Sequence, residues 1–239
     1  MYEVNYTGKN IQGGEGDASM SELKDRVNAL NWWHVIELPD GTITPGCCDY
    51  SKEEDNARFQ LPDDFKGQSV LDLGTFDGYW AIEAKKRGAN VTAADRWLPM
   101  LETAELALGL YDIPYYCLGN LDDSPAYGFK QNFDVVFFFG ILYHLKNPYQ
   151  GILSAASYLK SGGCLYLESA VNQGKLMGLP KDIPLLWVID EIHHNDKTNY
   201  HMPNEAAIIQ LAKMVGLERY GEIVYGESGF RVGMTFQKK

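Results

Sequence analysis

Short apolar runs alternate with amphipathic stretches along most of this chain, most regularly from Ser69 onward. SVLDLG is an extended run bounded by glycine. Residues 79–87 follow as a helix, with Trp80, Ala81, Ile82 and Ala84 available to pack and Gly88 set to end it. NVTAAD reads as a second strand. Pro99 opens a helix through Leu108, and Gly109 is its expected stop. IPYYCLG and FDVVFFFG are the third and fourth strands. The fourth is apolar almost without interruption, as a strand covered on both faces of a parallel sheet must be. Asn147 caps a helix entered at Pro148, with Ile152, Ala156 and Leu159 on one face. GGCLYLESAV is the fifth strand. Asn204 caps a last helix carrying Ile208, Leu211, Ala212 and Val215, with Gly216 at its end. Two closing strands, residues 218–225 and 230–237, are joined by a short turn at 226–229.

The chain ahead of Ser69 is patterned differently. Residues up to about Asp17 are rich in Gly, Asn and Tyr and look mobile. Ser19 and Glu22 form a capping box for a helix with Leu23, Val27 and Leu30 at helical spacing. In NWWHVIELPDGTITPG, Pro39-Asp40-Gly41 is turn chemistry between two short extended runs, which predicts a β-hairpin or hooked loop. A polar stretch, 51–58, leads into the main body. We therefore divide the chain into a front section, 1–60, made of a helix and a hairpin cap, and an α/β domain, 61–239. Repeated strand–helix units require a right-handed, mostly parallel sheet with helices on both faces. The closing pair of strands requires one of them to enter that sheet antiparallel.

Composition narrows the function. The 239 residues are 45% hydrophobic and 22% charged, which excludes a disordered or fibrous protein. Thirty-two acidic against 21 basic residues give a net charge of −11, so binding a phosphate backbone would need a local basic patch. No apolar run approaches the roughly 20 residues of a membrane span. MYEVNYTGKN lacks the basic start and apolar middle of a signal peptide. Cys47, Cys48, Cys117 and Cys164 show neither C-x-x-C spacing nor a disulfide framework. A cytoplasmic protein without membrane contact is expected. DEIHHNDKTNYH holds metal-type donors, but adjacent histidines on an extended chain face opposite ways, so no chelate follows and no metal is expected. Residues 175–202 read instead as a lid or acceptor-specificity element.

In a doubly wound sheet the ligand lies at the carboxyl ends of the strands. There the chain places Asp72-Leu73-Gly74-Thr75-Phe76-Asp77-Gly78, a D-x-G-x-x-x-G turn into a helix. Phe76 stands where a dinucleotide fingerprint has its second glycine, which disfavours a nicotinamide enzyme. Asp72 can accept from a ligand ammonium. Asp95, ending the second strand, can accept from both hydroxyls of a ribose.

LDLGTFDG, the Asp95 position and FDVVFFFGILYHLKNP resemble the motifs of class I S-adenosylmethionine-dependent methyltransferases, whose Rossmann-like fold has a seven-stranded, mostly parallel sheet with an antiparallel terminal strand. NWWHVIELPDGTITPG, DGYWAIEAKKRGA, GILYHLKNP and YHMPN are similar to the branch containing the tRNA wobble-uridine carboxymethyltransferases. The resemblance implies that Asp72, Gly74, Thr75, Phe76 and Gly78 cradle the methionine end of S-adenosylmethionine. By the same resemblance Asp95 holds the ribose, Arg96 and Trp97 line the adenosine, and Asn120 and Leu121 border the adenine. Phe139 and Gly140 close the site, and Tyr143 matches a tyrosine that contacts the carboxylate of a carboxylated cofactor. Those relatives also present a lysine from a K-G-P-F-like segment, where this chain reads Ile43-Thr44-Pro45-Gly46. Plain S-adenosylmethionine, leaving S-adenosylhomocysteine, is therefore the expected cofactor.

Methyl transfer from a sulfonium is an in-line displacement that mainly requires positioning, with a base only for a protonated acceptor. His144 is a candidate base or loop organiser. Trp33 and His34, beside Trp32, suit covering the cofactor or stacking on a planar acceptor. Arg231 begins the final strand, where the resemblance implies an arginine presented to the active site; an anionic acceptor group would explain it, and an ordinary surface salt bridge would serve equally. The acidic charge favours transfer to an O, N or C nucleophile of a small molecule over a tRNA wobble-uridine methyl or carboxymethyl transfer. A cofactor-binding protein without catalysis is the third possibility.

Overall fold

Side chains on alternate positions of the apolar runs bury on opposite faces of one sheet. The computed structural model describes residues 16–50, 54–96, 98–117, 121–122, 132–172, 182–189, 196–226 and 228–239. The elements are α1 (Gly16–Ala29), β1 (Ser69–Leu73), α2 (Tyr79–Lys86), β2 (Asn90–Asp95), α3 (Leu101–Leu110), β3 (Tyr115–Cys117), β4 (Phe133–Phe139), α4 (Pro148–Tyr158), β5 (Leu159–Ala170), β6 (Leu186–Val188), β7 (His201–Pro203), α5 (Glu205–Met214), β8 (Leu217–Tyr225) and β9 (Arg231–Lys238). Seven strands order as β3-β2-β1-β4-β5-β9-β8. Pairings from β3 to β5 are parallel, and β9 runs antiparallel to both β5 and β8.

The fourth strand shows how the sheet is sandwiched. Val135 and Phe137 join a core cluster with α2, α3 and the front section, while Val136 and Phe138 join a second with α4 and α5. Phe137 and Phe138 are both completely buried, each contributing about 1.5–3 kcal/mol of transfer free energy. The helix caps follow the sequence: Asn147 accepts from the Gln150 amide, and Asn204 from the Ala207 amide.

The front section forms the hook its turn residues predict. Leu38 N donates to Thr42 O and Thr44 N to Ile36 O, with Asp40 accepting from the Thr42 amide inside the turn. Buried Ile36, Leu38 and Val27 press hook and helix onto the α2 side of the sheet.

Three boundaries differ from the sequence reading. α1 opens at Gly16, three residues before Ser19. Pro99 lies in a 3-10 turn, Leu98–Met100, ahead of α3. Gly109 stays within that helix, and the chain reverses at Asp112, which takes φ 53°. β6 and β7, too short to show a period, pair into a separate two-stranded sheet between β5 and α5. Of the start expected to be mobile up to about Asp17, residues 1–15 lie outside the described residues, while Gly16 and Asp17 belong to α1.

Candidate active site

The glycine turn leaves the carboxyl end of β1. Gly74 and Gly78 take φ 80° and 97°, and between them Phe76 takes φ 57°, a left-handed conformation that costs a non-glycine residue energy. A Cβ added at Gly74 would lie 2.5 Å from the Ile141 side chain. Phe76 is held by its amide, which donates to Asp95 Oδ2 at 2.7 Å, while Asp95 Oδ1 accepts from the Arg96 amide at 2.6 Å. Asp72 Oδ2 accepts from the Thr75 hydroxyl at 2.7 Å. Burial, with Asp95 nearby adding to it, pushes the Asp72 carboxyl up to about 7 against the pull of Thr75. Among the described residues no cation perturbs this buried acid, which suits it to a positively charged ligand group such as an ammonium. Trp97 and Asn120 lie outside the described residues. Leu121 packs against the α4 side and accepts from Ser154 Oγ at 3.3 Å.

The front section reaches this turn through a residue at an unspecified position of the D-x-G-x-x-x-G pattern. Asp77, completely buried, accepts from the Trp33 amide at 3.0 Å and the His34 amide at 2.8 Å through Oδ2, and its Oδ1 meets His34 Nδ1 at 2.5 Å. His34 stacks on Tyr79, centroids 5.1 Å apart, and lies 5.4 Å from Tyr50. Trp32 is buried and donates its indole N–H to Val27 O, so it fastens α1. Trp33 is 48% exposed and stands edge-on to Phe76 at 6.3 Å.

At the ends of β4, β5 and β9 a second polar group converges. Glu168, 1% exposed, accepts from Arg231 Nε at 2.7 Å and Arg231 Nη2 at 2.5 Å, and also from Arg58 Nε at 3.1 Å. Arg231 Nη1 donates to the Tyr143 hydroxyl at 2.8 Å. Two guanidiniums thus share one carboxylate. Gly140, following Phe139 with φ 69°, leaves room beside them: an added Cβ would sit 3.6 Å from Arg231 Nη2 and 3.7 Å from the Tyr143 hydroxyl. Phe139 packs against Phe59 and Trp80. Arg231 is therefore held by a buried bidentate pair rather than by a surface salt bridge. Glu168 carried a usable signal, since a lone acid in an apolar strand demands a partner. Arg58, in a polar connecting stretch, carried none.

His144 ends the 3-10 turn Leu142–His144 and is organised by β7's approach. Its Nδ1 lies 2.9 Å from Thr198 Oγ1 and 3.8 Å from Asp196 Oδ2, and Thr198 Oγ1 donates to Asp196 Oδ1. Tyr200 N donates to Tyr143 O, tying the two segments together. Burial lowers the His144 pKa. His201 is 2% exposed, and burial lowers its pKa too, against the pull of the Leu145 backbone. Asp190, Glu191, His193 and His194 lie outside the described residues, as does much of the 175–202 segment. Among the described residues no three His, Cys, Asp or Glu side chains are grouped to hold a metal, and no helix is long and apolar enough to cross a membrane.

Comparison with known proteins gives the arrangement a context. A family model described as "Methyltransferase domain" matches residues 50–220. A tRNA U34 carboxymethyltransferase of Pseudomonas syringae pv. tomato is 30% identical over 148 residues, 61% of this chain and 44% of that protein, so the match spans less than half of that relative. The N-terminal domain of EvdMO1, solved in the presence of SAH and D-fucose, superposes with a TM-score of 0.62 at 15% identity, covering 94% of this chain and 100% of that one. The 1,6-didemethyltoxoflavin-N1-methyltransferase of Burkholderia thailandensis, with bound 1,6-didemethyltoxoflavin and S-adenosylhomocysteine, superposes with a TM-score of 0.54 at 16% identity, over 77% of this chain and 75% of that one. These two likenesses concern the fold.

Proposed function

The chain belongs to the methyltransferase domain family, and from that premise we propose that it transfers a methyl group from S-adenosylmethionine to a small-molecule acceptor bearing an anionic group. The observation that carries this reading is the pairing of two unlike polar sites at the carboxyl ends of the strands. One is acidic, with Asp72 and Asp95 around the glycine turn. The other gathers Arg231, Arg58 and Glu168, with the Arg231 guanidinium also reaching the Tyr143 hydroxyl.

In this reading Asp72 accepts from the cofactor's ammonium, Asp95 takes the ribose hydroxyls, and Gly74, Thr75, Phe76 and Gly78 shape the methionine cradle. When bound, the cofactor supplies an electrophilic methyl on a sulfonium. Arg96, Leu121, Phe139 and Gly140 border it. On the acceptor side Tyr143 and Arg231 hold the anionic group, Trp33 covers or stacks on the acceptor, and His34 supports that position. His144, whose lowered pKa keeps it neutral near pH 7, can take a proton from an acceptor that needs to lose one. The front section, 1–60, then serves as the cap over a domain spanning 61–239. Plain S-adenosylmethionine is favoured because the Ile43-Thr44-Pro45-Gly46 segment offers no cation. Thr44 is buried there, bonded to His34 O and the Ile36 amide.

A second reading, transfer to a tRNA wobble uridine, is favoured by the 30% identity to a tRNA U34 carboxymethyltransferase and by the Tyr143–Arg231 pair. Calorimetric titration with S-adenosylmethionine and with its carboxylated form separates the two. Preference for the plain cofactor supports the first reading. Preference for the carboxylated form, with RNA affinity that falls steeply as salt rises, replaces it with the second. Binding of neither sinks both.

A further inference from the structure

We propose that Asp77 is a positioning residue that makes the seating of the front section depend on occupancy of the glycine turn. The inference rests on the cofactor reading above and adds a consequence to it. One completely buried carboxylate holds three groups of a segment 43 and 44 residues away in the chain: the Trp33 amide, the His34 amide and the His34 ring. Its neighbour Phe76 sits at φ 57°, donates its amide to Asp95, and meets Trp33 edge-on. Ligand anchor and front section are therefore joined through two adjacent residues of a strained turn. A ligand that engages Asp95 and stiffens Phe76 also fixes Asp77, and with it the amides that orient Trp33 and His34. The front section itself transmits the restraint, because its close approach at Gly46, where an added Cβ would lie 2.2 Å from the His34 carbonyl, leaves little play. Cofactor would enter first, and the acceptor surface carrying Trp33 would be completed afterwards.

The test is amide hydrogen exchange at Trp33 and His34 with and without S-adenosylhomocysteine, alongside calorimetry with the same ligand. In the wild-type protein the ligand is expected to slow both amides at least tenfold. Asp77→Ala should exchange rapidly in either condition, and by reciprocity its ligand affinity should fall by about the same tenfold. Asp77→Asn, whose side-chain oxygen can still accept from both amides, should recover most of the ligand-induced slowing. A purely structural carboxylate would change basal exchange but not the increment on binding. The proposal is overturned if wild-type protein binds the ligand without slowing these amides, a result that needs no variant to fold. It is equally overturned if Asp77→Ala keeps the full increment. Absence of ligand binding by the wild type would overturn the cofactor reading itself, and the coupling with it.

Discussion

Asp72 is completely enclosed, and its carboxyl titrates near neutrality because burial opposes its charge. The ligand ammonium needs the ionised form. Affinity for S-adenosylmethionine should therefore rise from about pH 6 as the carboxyl ionises and fall again above about pH 8 as the ligand's own ammonium loses its proton, as calorimetry across that range would show. In Asp72→Asn the affinity should be weaker and lack the rise above pH 6. The same shift has the opposite sign for the ligand-free fold. A folded pKa above the unfolded value gives stability that is complete below about pH 4 and is lost as pH rises through about 7. Asp72→Asn should thus raise the melting temperature above pH 7, by an amount equivalent to about 1–3 kcal/mol. Glu168 presents the reverse situation, a buried acid already matched by two guanidiniums. Glu168→Ala removes the buried carboxylate that both guanidiniums share, and urea unfolding should register a loss of about 3–5 kcal/mol. Asp72 and Asp95 could be read from the sequence because a strand end followed by a glycine turn fixes where they point. The partners of Asp77 and Glu168 could not, since they come from segments 43 to 110 residues away that only the folded sheet brings together.

The turn Glu54–Phe59 is seated against β9 so closely that a Cβ at Gly233 would lie 1.5 Å from the Arg58 carbonyl oxygen. Backbone cannot yield as a flexible side chain would. Gly233→Ala should displace the whole turn, costing about 3 kcal/mol or more. The cation–π contact of Arg58 over Phe59 and the Arg58–Glu168 pair should be lost with it. Denaturant unfolding reads the first effect, and a melting temperature unchanged from wild type would refute the close seating. The long, strongly patterned elements followed the sequence because apolar runs, Asn caps and glycine ends all agree. Disagreement arose where one local signal stood alone. A single capping box did not set the start of α1, and one glycine did not interrupt α3, whose helix closes on Tyr111. β6 and β7 have three residues each, and their pairing is a long-range choice that no period announces.

Across the molecule, two apolar clusters flank the sheet and the small β6–β7 sheet stands outside them, carrying exposed Leu186, Trp187 and Val188 on one strand and buried His201, Met202 and Pro203 on the other. His201 makes this outlying part sensitive to acid. Its folded pKa is lowered by burial, with His144 adding to that effect and the Leu145 backbone and Asp122 opposing it. The stability of the neutral form is complete above about pH 6.5 and is lost as pH falls below that value. Between pH 7 and pH 5.5, protection factors in residues 196–203, which allow for the intrinsic slowing of amide exchange in acid, should fall before those in β1 or β4. His201→Phe should abolish that fall, and an unchanged pH response in that variant would remove His201 as its source.

The position of β9 bears on how the molecule is made. Arg231–Lys238 follows β8 in the chain, yet it lies inside the sheet between β5 and β8 instead of at its rim. On the ribosome, β1 to β5 can assemble while β9 is still in the exit tunnel, but the open side of β5 has no neighbour in this sheet until those residues emerge. Arg231, which completes the pair with Glu168, arrives with them. The growing chain therefore has a sheet before it has this part of the site, with an open strand edge at β5 in the interval.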